Sequence, residues 1–279
     1  MNCRLIAFDL DGTLLDNDKH IPEENLLALH EAAERGVILA PATGRILRGI
    51  PSELRELPFL RYYILSNGAA VYDAAEERTL YRGDISLDLT LETMDFLDTL
   101  PVLYDCYQND VGWMSQETFE KAPPYFIHEP HMMGMIEKLR VRVPDLKKTL
   151  REHNEPVQKI SIFFRPEDNE RRLWYLRHFS ELFPELLASS SISNNIELNS
   201  VRAGKGNGLL ALCKALDIAP EDSMSFGDES NDLSMLRAAG RGVAMGNASK
   251  DVKAAADAVC ETNTESGVAK EIRRVLGKE

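Results

Sequence analysis

The chain has 279 residues, 44% of them hydrophobic and 28% charged, which allows a sizeable buried core and excludes a disordered or fibrous protein. Its 32 Lys and Arg against 45 Asp and Glu leave a net charge of -13, which excludes nucleic acid and anionic membranes as expected partners. The basic pairs Lys147-Lys148 and Arg171-Arg172 are short and read as solvated helix faces.

Leu5 to Leu10 is predicted as an apolar strand that stops at the acidic turn DLDGTLLD, before an amphipathic helix from about Pro22 to Gly36. Val37 to Ala40 reads as a second strand. It runs into PATGR and a helix from about Arg45 to Leu57, and Tyr62 to Leu65 forms a third strand ending at Ser66-Asn67-Gly68. Strands alternating with helices imply a parallel sheet with right-handed crossovers.

After Gly83 the rhythm changes. An acidic helix over Leu87 to Thr99 precedes strands at Val102 to Tyr107 and Val111 to Met114, joined by a hairpin at Asn109-Asp110. A Pro- and Met-rich stretch, Ala122 to Met135, leads to a helix over Asp145 to His153, a strand over Ile160 to Phe164 and a helix over Glu167 to Phe183. Within it, His128-Glu129-Pro130-His131 offers no third ligand at a sensible spacing, and Pro130 is expected to interrupt any helix. Met132, Met133 and Met135 with Tyr125 and Phe126 read as a core or a flexible loop facing a ligand, with the polar residues of Tyr125 to His131 as candidate contacts.

From Asn195 the first rhythm is expected to return, with the strand Ile196 to Leu198, the turn AGKG and a helix over Asn207 to Leu216. A strand over Ser223 to Phe226 ends at GDESND. The helix Asp232 to Ala239, the strand Gly242 to Met245, the helix Lys250 to Ala256 and a helix after Gly267 complete the chain. The expected fold is therefore α/β, a Rossmann-like parallel-sheet core over 1-83 and 194-279 with an inserted α/β domain over 84-193. No apolar run suits a signal peptide or a membrane helix, so the cytoplasm is the expected compartment. Cys3, Cys106, Cys213 and Cys260 are scattered and predict neither disulfides nor zinc.

Ligands of open α/β sheets bind at the carboxyl ends of the strands, where Asp9 and Asp11 follow the first strand. Alone, the pair also reads as a polar loop with capping aspartates. A second acidic cluster, Gly227-Asp228-Glu229-Ser230-Asn231-Asp232, follows another apolar strand and should reach the same edge. Such carboxylates repel one another unless a hard cation lies between them, and Mg²⁺ suits oxygen ligands shared with a substrate phosphate. Thr43-Gly44 offers a hydroxyl and an uncrowded N–H to an anion, and Lys205 a point charge, although each alone also reads as an ordinary N-cap or surface lysine.

Taken in order, DLDGT, ATGR, GKG and GDESND resemble the four motifs of the haloacid dehalogenase superfamily, and more closely its Cof-type branch of Mg²⁺-dependent phosphatases. The resemblance extends to Asn67-Gly68-Ala69, Ile196-Glu197-Leu198 and Gly242-Val243-Ala244-Met245-Gly246-Asn247-Ala248. It implies that Asp9 attacks phosphorus to form an aspartyl-phosphate and also ligates the metal. Asp11 would serve as acid and then base while its backbone carbonyl binds metal, and Asp228 would be the other metal carboxylate. Thr43, Gly44, Lys205 and Asn231 would hold the phosphoryl group, and Asp232 would orient Lys205 or a metal-bound water. A hydroxyl residue often precedes the lysine in relatives, where this chain has Gly204.

The resemblance also makes the insert a cap that closes over the site and selects the leaving group. The activity expected is hydrolysis of a small phosphorylated metabolite, sugar phosphates first and flavin or pyridoxal phosphate esters next. A phosphosugar mutase and a metabolite-binding regulator without turnover are the alternatives. The intact Asp9 and Asp11 argue against the regulator, which has no need of a nucleophile and an acid.

Overall fold

The computed structural model describes residues 3–128 and 130–277, without the side chains of Pro130 and His131. Two compact units divide the chain: Met1–Arg45, Ile50–Arg82 and Ala203–Glu279 make the first, Ile46–Gly49 and Gly83–Arg202 the second.

The first segment holds β1 (Leu5–Phe8), α1 (Glu23–Glu34), β2 (Ile38–Pro41), a single-turn α2 (Ser52–Arg55), β3 (Tyr62–Leu65), β4 (Ala70–Asp73) and β5 (Arg78–Arg82). The helix expected over Arg45 to Leu57 is only a 3₁₀ turn at Leu47–Gly49 followed by α2. Pro51 lacks an N–H and disfavours helical geometry at Ile50, so one continuous helix cannot form there. The third strand also departs from expectation, because β3, β4 and β5 make a separate antiparallel sheet. Ser66 and Asn67, at φ 50° and 58°, reverse the chain between β3 and β4.

The insert contributes α3 (Leu87–Leu97), β6 (Leu103–Gln108), β7 (Val111–Ser115), α4 (Gln116–Lys121), α5 (Pro130–Leu139), β8 (Arg140–Val143), α6 (Leu146–His153), β9 (Lys159–Phe163), α7 (Asn169–Leu182), β10 (Leu186–Ser189) and β11 (Asn195–Ser200). These strands form one six-stranded sheet in the order β10-β11-β9-β6-β7-β8. Asn109 and Asp110 both take positive φ, 51° and 61°, as a two-residue hairpin turn between right-twisted strands requires. Cys106, Ile160, Ile162, Ile196 and Leu198 on one sheet face pack with Met94, Leu97, Leu150, Phe179 and Phe183 from α3, α6, α7 and its C-cap.

Two expectations change here, and a third, open between a core and a loop, is decided. Ile196 to Leu198, placed with the first unit, lies in β11 and pairs antiparallel with β9 and β10, so the chain returns at Ala203 rather than 194. Asn195-Ile196-Glu197-Leu198-Asn199 alternates polar and apolar residues, as antiparallel strands commonly do, although all six residues of β11 are buried, whereas parallel strands read as continuous apolar runs. Second, Pro130 opens α5 instead of interrupting a helix, since a first-turn residue needs no N–H. Third, Tyr125 and Phe126 are buried with Met114, Ile136 and Phe163, and Met132 and Met133 pack on them, which makes the stretch a core. His128 is exposed, while Glu129 and the His131 side chain, both part of the His128 to His131 reading, lie outside the described residues.

The returning chain adds α8 (Lys205–Ala215), β12 (Ser223–Gly227), α9 (Leu233–Ala238), β13 (Arg241–Ala244), α10 (Lys250–Ala255), β14 (Ala258–Val259) and α11 (Gly267–Leu276). With β1 and β2 these strands form a parallel sheet in the order β14-β13-β12-β1-β2. Leu5 and Ala7 of β1 pack with Leu209 and Leu212 of α8 and Met235 of α9. Every residue of β1 and β12 is buried, so the ends of this pair form a rigid platform. Among the described residues no helix is long and apolar enough to cross a membrane.

Candidate active site

Strands β1 and β12 run parallel with Phe8 opposite Phe226, so the residues that follow them emerge at one edge of the sheet. Asp9 comes directly after β1, and its N–H donates to the Phe226 carbonyl at 3.0 Å. Asp228 comes directly after β12. Asp9, Asp228 and Asp232 each bring one carboxylate oxygen to within 4.8 Å of the other two.

Lys205, the first residue of α8, is fully buried and donates from Nζ to Asp9 Oδ1 and to Asp232 Oδ1, both at 2.6 Å. Burial opposes its charge, but Asp232 and Asp9 together hold its pKa above the ordinary lysine value. Asp232 Oδ2 accepts the backbone N–H groups of Asp228 and Glu229 at 2.9 and 3.0 Å. With both oxygens committed, Asp232 orients Lys205 and the Asp228 loop.

Burial without sufficient counter-charge pushes the Asp9 carboxyl up to about 8, although Lys205 pulls the other way. Burial likewise lifts Asp228 to about 7, opposed by the hydrogen bond from Thr13. With all three carboxylates ionised against one ammonium, the buried site would carry an excess of two negative charges, which protons on Asp9 and Asp228 otherwise relieve. A divalent cation held by oxygen ligands matches that excess, and Asp9 and Asp228 are the side chains able to hold it.

Asp11 lies apart from this cluster. Its Oδ2 accepts from Arg45 Nε at 3.0 Å and its Oδ1 from Arg45 Nη2 at 2.7 Å, and Lys19 Nζ reaches Oδ1 at 2.9 Å. Burial would raise its pKa, but the Arg45 charge and hydrogen bonds, with Lys19, outweigh burial and hold the carboxyl below its usual range.

Thr43 is buried, donates its N–H to the Ile64 carbonyl and accepts the Arg45 N–H on Oγ1 at 3.2 Å. Thr43-Gly44 forms a bend, and no helix starts there, which corrects the expected helix-terminus anion site. Asn231 Nδ2 donates to Asn67 Oδ1 at 3.3 Å, while its buried Oδ1 has no hydrogen-bond partner among the described residues.

Four further residues in the site had no role assigned from the sequence. Thr13 Oγ1 donates to Asp228 Oδ1 at 2.7 Å and fixes that carboxylate. Asn247 Nδ2 bridges the Gly12 carbonyl at 2.8 Å and Asp228 Oδ2 at 3.4 Å. Asn67 donates its N–H to the Thr43 carbonyl at 2.9 Å and accepts the Gly204 N–H at 2.7 Å, tying the second motif to the third. Arg45 holds Asp11. Thr13 and Arg45 are the last residues of DLDGT and ATGR, and an Asn after a strand is a candidate for the left-handed turn adopted here. Their partners are distant in sequence and were not legible there.

Two of the glycines that the backbone geometry requires bear directly on Asp228 and Lys205. Gly12 has φ +81°, and a Cβ there would overlap Asp228 Oδ2. Gly12→Ala should therefore cost about 1–3 kcal/mol of local strain and displace Asp228. The expected result is a steep loss of turnover with a cooperative unfolding transition retained; unchanged turnover would remove Asp228 from the site. Gly204 has φ +115° at the N-cap of α8, which explains the missing hydroxyl residue before Lys205, because an L side chain is strained in that conformation.

The haloacid dehalogenase-like hydrolase family profile matches residues 6–272. The chain is 31% identical over 294 residues to Phosphatase YwpJ of Bacillus subtilis, covering 98% of this chain and 100% of that protein. It is 28% identical over 275 residues to the 5-amino-6-(5-phospho-D-ribitylamino)uracil phosphatase YcsE of Bacillus subtilis, covering 98% and 96%. Among solved structures it resembles the HAD subclass IIB sugar phosphatase BT4131, with a TM-score of 0.79 and 26% identity over 99% of this chain and 100% of that one.

Proposed function

The chain belongs to the haloacid dehalogenase-like hydrolase family, and on that premise we propose that it is a Mg²⁺-dependent phosphatase of small phosphorylated metabolites, sugar phosphates above all. The observation that carries the reading is the buried Asp9–Lys205–Asp232 chain beside Asp228. It provides a carboxylate for attack, a fixed cation beside it and an excess of negative charge suited to a divalent metal.

In the first half-reaction an Asp9 carboxylate oxygen attacks phosphorus, the bond from phosphorus to the ester oxygen breaks, and Asp11, which must enter this step in its protonated form, gives that oxygen its proton. In the second half, water attacks the aspartyl-phosphate, Asp11 takes the proton, and inorganic phosphate leaves with Asp9 restored. Lys205 keeps Asp9 oriented and offsets charge on the phosphoryl oxygens, which Thr43, Gly44 and Asn231 would contact. Mg²⁺, held by Asp9, Asp228 and the Asp11 backbone carbonyl, would screen the phosphoryl group from the attacking carboxylate. Selection among esters is assigned to the second unit, because a phosphoryl pocket cannot by itself distinguish leaving groups.

The test is phosphate release from a panel of sugar, flavin and pyridoxal phosphates with and without Mg²⁺. Free phosphate that depends on Mg²⁺ supports the reading. Isomerised sugar phosphate that requires a bisphosphate activator would favour the mutase, and binding without turnover the regulator. In single-turnover release of the leaving group, Asp11→Asn should slow alkyl phosphates by about 10²–10⁴-fold and p-nitrophenyl phosphate, whose leaving group needs no proton, far less, while hydrolysis of the shared aspartyl-phosphate should slow alike for both. Equal losses of leaving-group release on both would remove Asp11 from the acid role.

A further inference from the structure

Asp9, Asp11 and Asp228, which follow β1 and β12, are each held by a polar partner. Asp9 has Lys205, and Asp228 has Thr13. Asp11 stands in a turn with a side chain 39% exposed, and left alone it would sample several rotamers. Arg45 supplies the constraint, since its Nε and Nη2 grip both oxygens of Asp11 as a planar fork.

Arg45 is itself fixed at the backbone on both sides. Its N–H donates to Thr43 Oγ1 and its carbonyl accepts the Ser66 N–H at 2.9 Å. Its side chain is 21% exposed, compared with 57% for Lys19, the other cation on Asp11. The fork is thus anchored in the Thr43 bend, while Lys19 adds a solvated and weaker contact.

We propose that Arg45 is a positioning residue that acts on proton transfer to the leaving group through Asp11, and does not serve as a phosphoryl-binding residue. The proposal rests on the acid–base role read for Asp11. A carboxyl delivers or accepts a proton efficiently only when held within hydrogen-bond reach of the reacting oxygen. Lysine cannot reproduce the two-point grip, so it should restore only part of the function.

The experiment compares the single-turnover rate of leaving-group release and KM of the full chain on glucose 6-phosphate and p-nitrophenyl phosphate for Arg45→Gln, Arg45→Lys, Asp11→Asn and the Asp11→Asn/Arg45→Gln double variant. Arg45→Gln should lower that rate on glucose 6-phosphate by about 30-fold, with KM on either substrate and the leaving-group release rate on p-nitrophenyl phosphate each changing by less than about threefold. Arg45→Lys should fall between Arg45→Gln and the native chain, which also serves if the glutamine variant unfolds. In the Asp11→Asn background, Arg45→Gln should cost less than about twofold more, because a residue acting through Asp11 has nothing left to act on.

Equal loss on both substrates, a rise of KM on both, or an undiminished loss in the Asp11→Asn background would overturn the proposal and make Arg45 a phosphoryl ligand. Absence of any difference between substrates for Asp11→Asn itself would overturn the acid–base reading instead, so the two failures are separable.

Discussion

Asp9→Asn should fold as the native chain does and lose turnover by at least about 10³-fold on every substrate, a barrier increase of roughly 4 kcal/mol. The amide is nearly isosteric and keeps an oxygen that can accept from Lys205, so the buried network can persist. What it loses is the negative charge and the nucleophilic oxygen. No other carboxylate can substitute: Asp232 spends both oxygens on Lys205 and on two backbone N–H groups, and Asp11 is gripped by Arg45. Residual turnover within about tenfold of the native rate, ~1.4 kcal/mol, is incompatible with Asp9 as nucleophile. A beryllium fluoride adduct on any other carboxylate would equally rule Asp9 out.

The second large effect concerns the metal. Asp228→Ala removes one of the two side chains able to hold a divalent cation and leaves two carboxylates of the three in the cluster. Mg²⁺ affinity should fall by about 100-fold or more, beyond the range seen when only an outer hydrogen-bond partner is lost. Calorimetric titration of Mg²⁺ into the native and variant proteins measures this directly, and equal affinities would place the metal elsewhere.

The same site sets a pH dependence. Asp9 and Asp228 are raised to about 8 and about 7 by burial, so in the metal-free protein both bind protons increasingly as pH falls from 8 to 6. Protons then compete with Mg²⁺ for the same oxygens. The rise in Tm produced by a fixed Mg²⁺ concentration should be larger at pH 8 than at pH 6, and Asp228→Asn should flatten the difference. A rise independent of pH would mean that these carboxylates do not bind the ion.

Much of the first unit was legible because its signals are local. The apolar run before Asp9, the apolar run before Asp228 and the helix beginning at Lys205 are each written in a few consecutive residues, and β1 and β12 are buried on both faces. Proline chemistry also decided two segments, and its effect depends on position. Pro51 splits the segment expected as one helix, whereas Pro130 starts α5.

The chain therefore determined by itself the α/β class, the order of the four motifs and the residue types able to transfer a phosphoryl group. Periodicity and side-chain chemistry are properties of short stretches, and they need no knowledge of what lies opposite. Tertiary structure alone decided that β11 belongs to the second unit, because strand membership is fixed by hydrogen-bonded neighbours such as β9 and β10 that lie elsewhere in the chain. It likewise decided that Thr13 serves Asp228, that Asn67 ties Thr43 to Gly204 and that Arg45 grips Asp11. Each of these is a pairing between one polar atom and another brought close only when the sheet forms, and a pairing across sequence leaves no pattern in either partner's own segment.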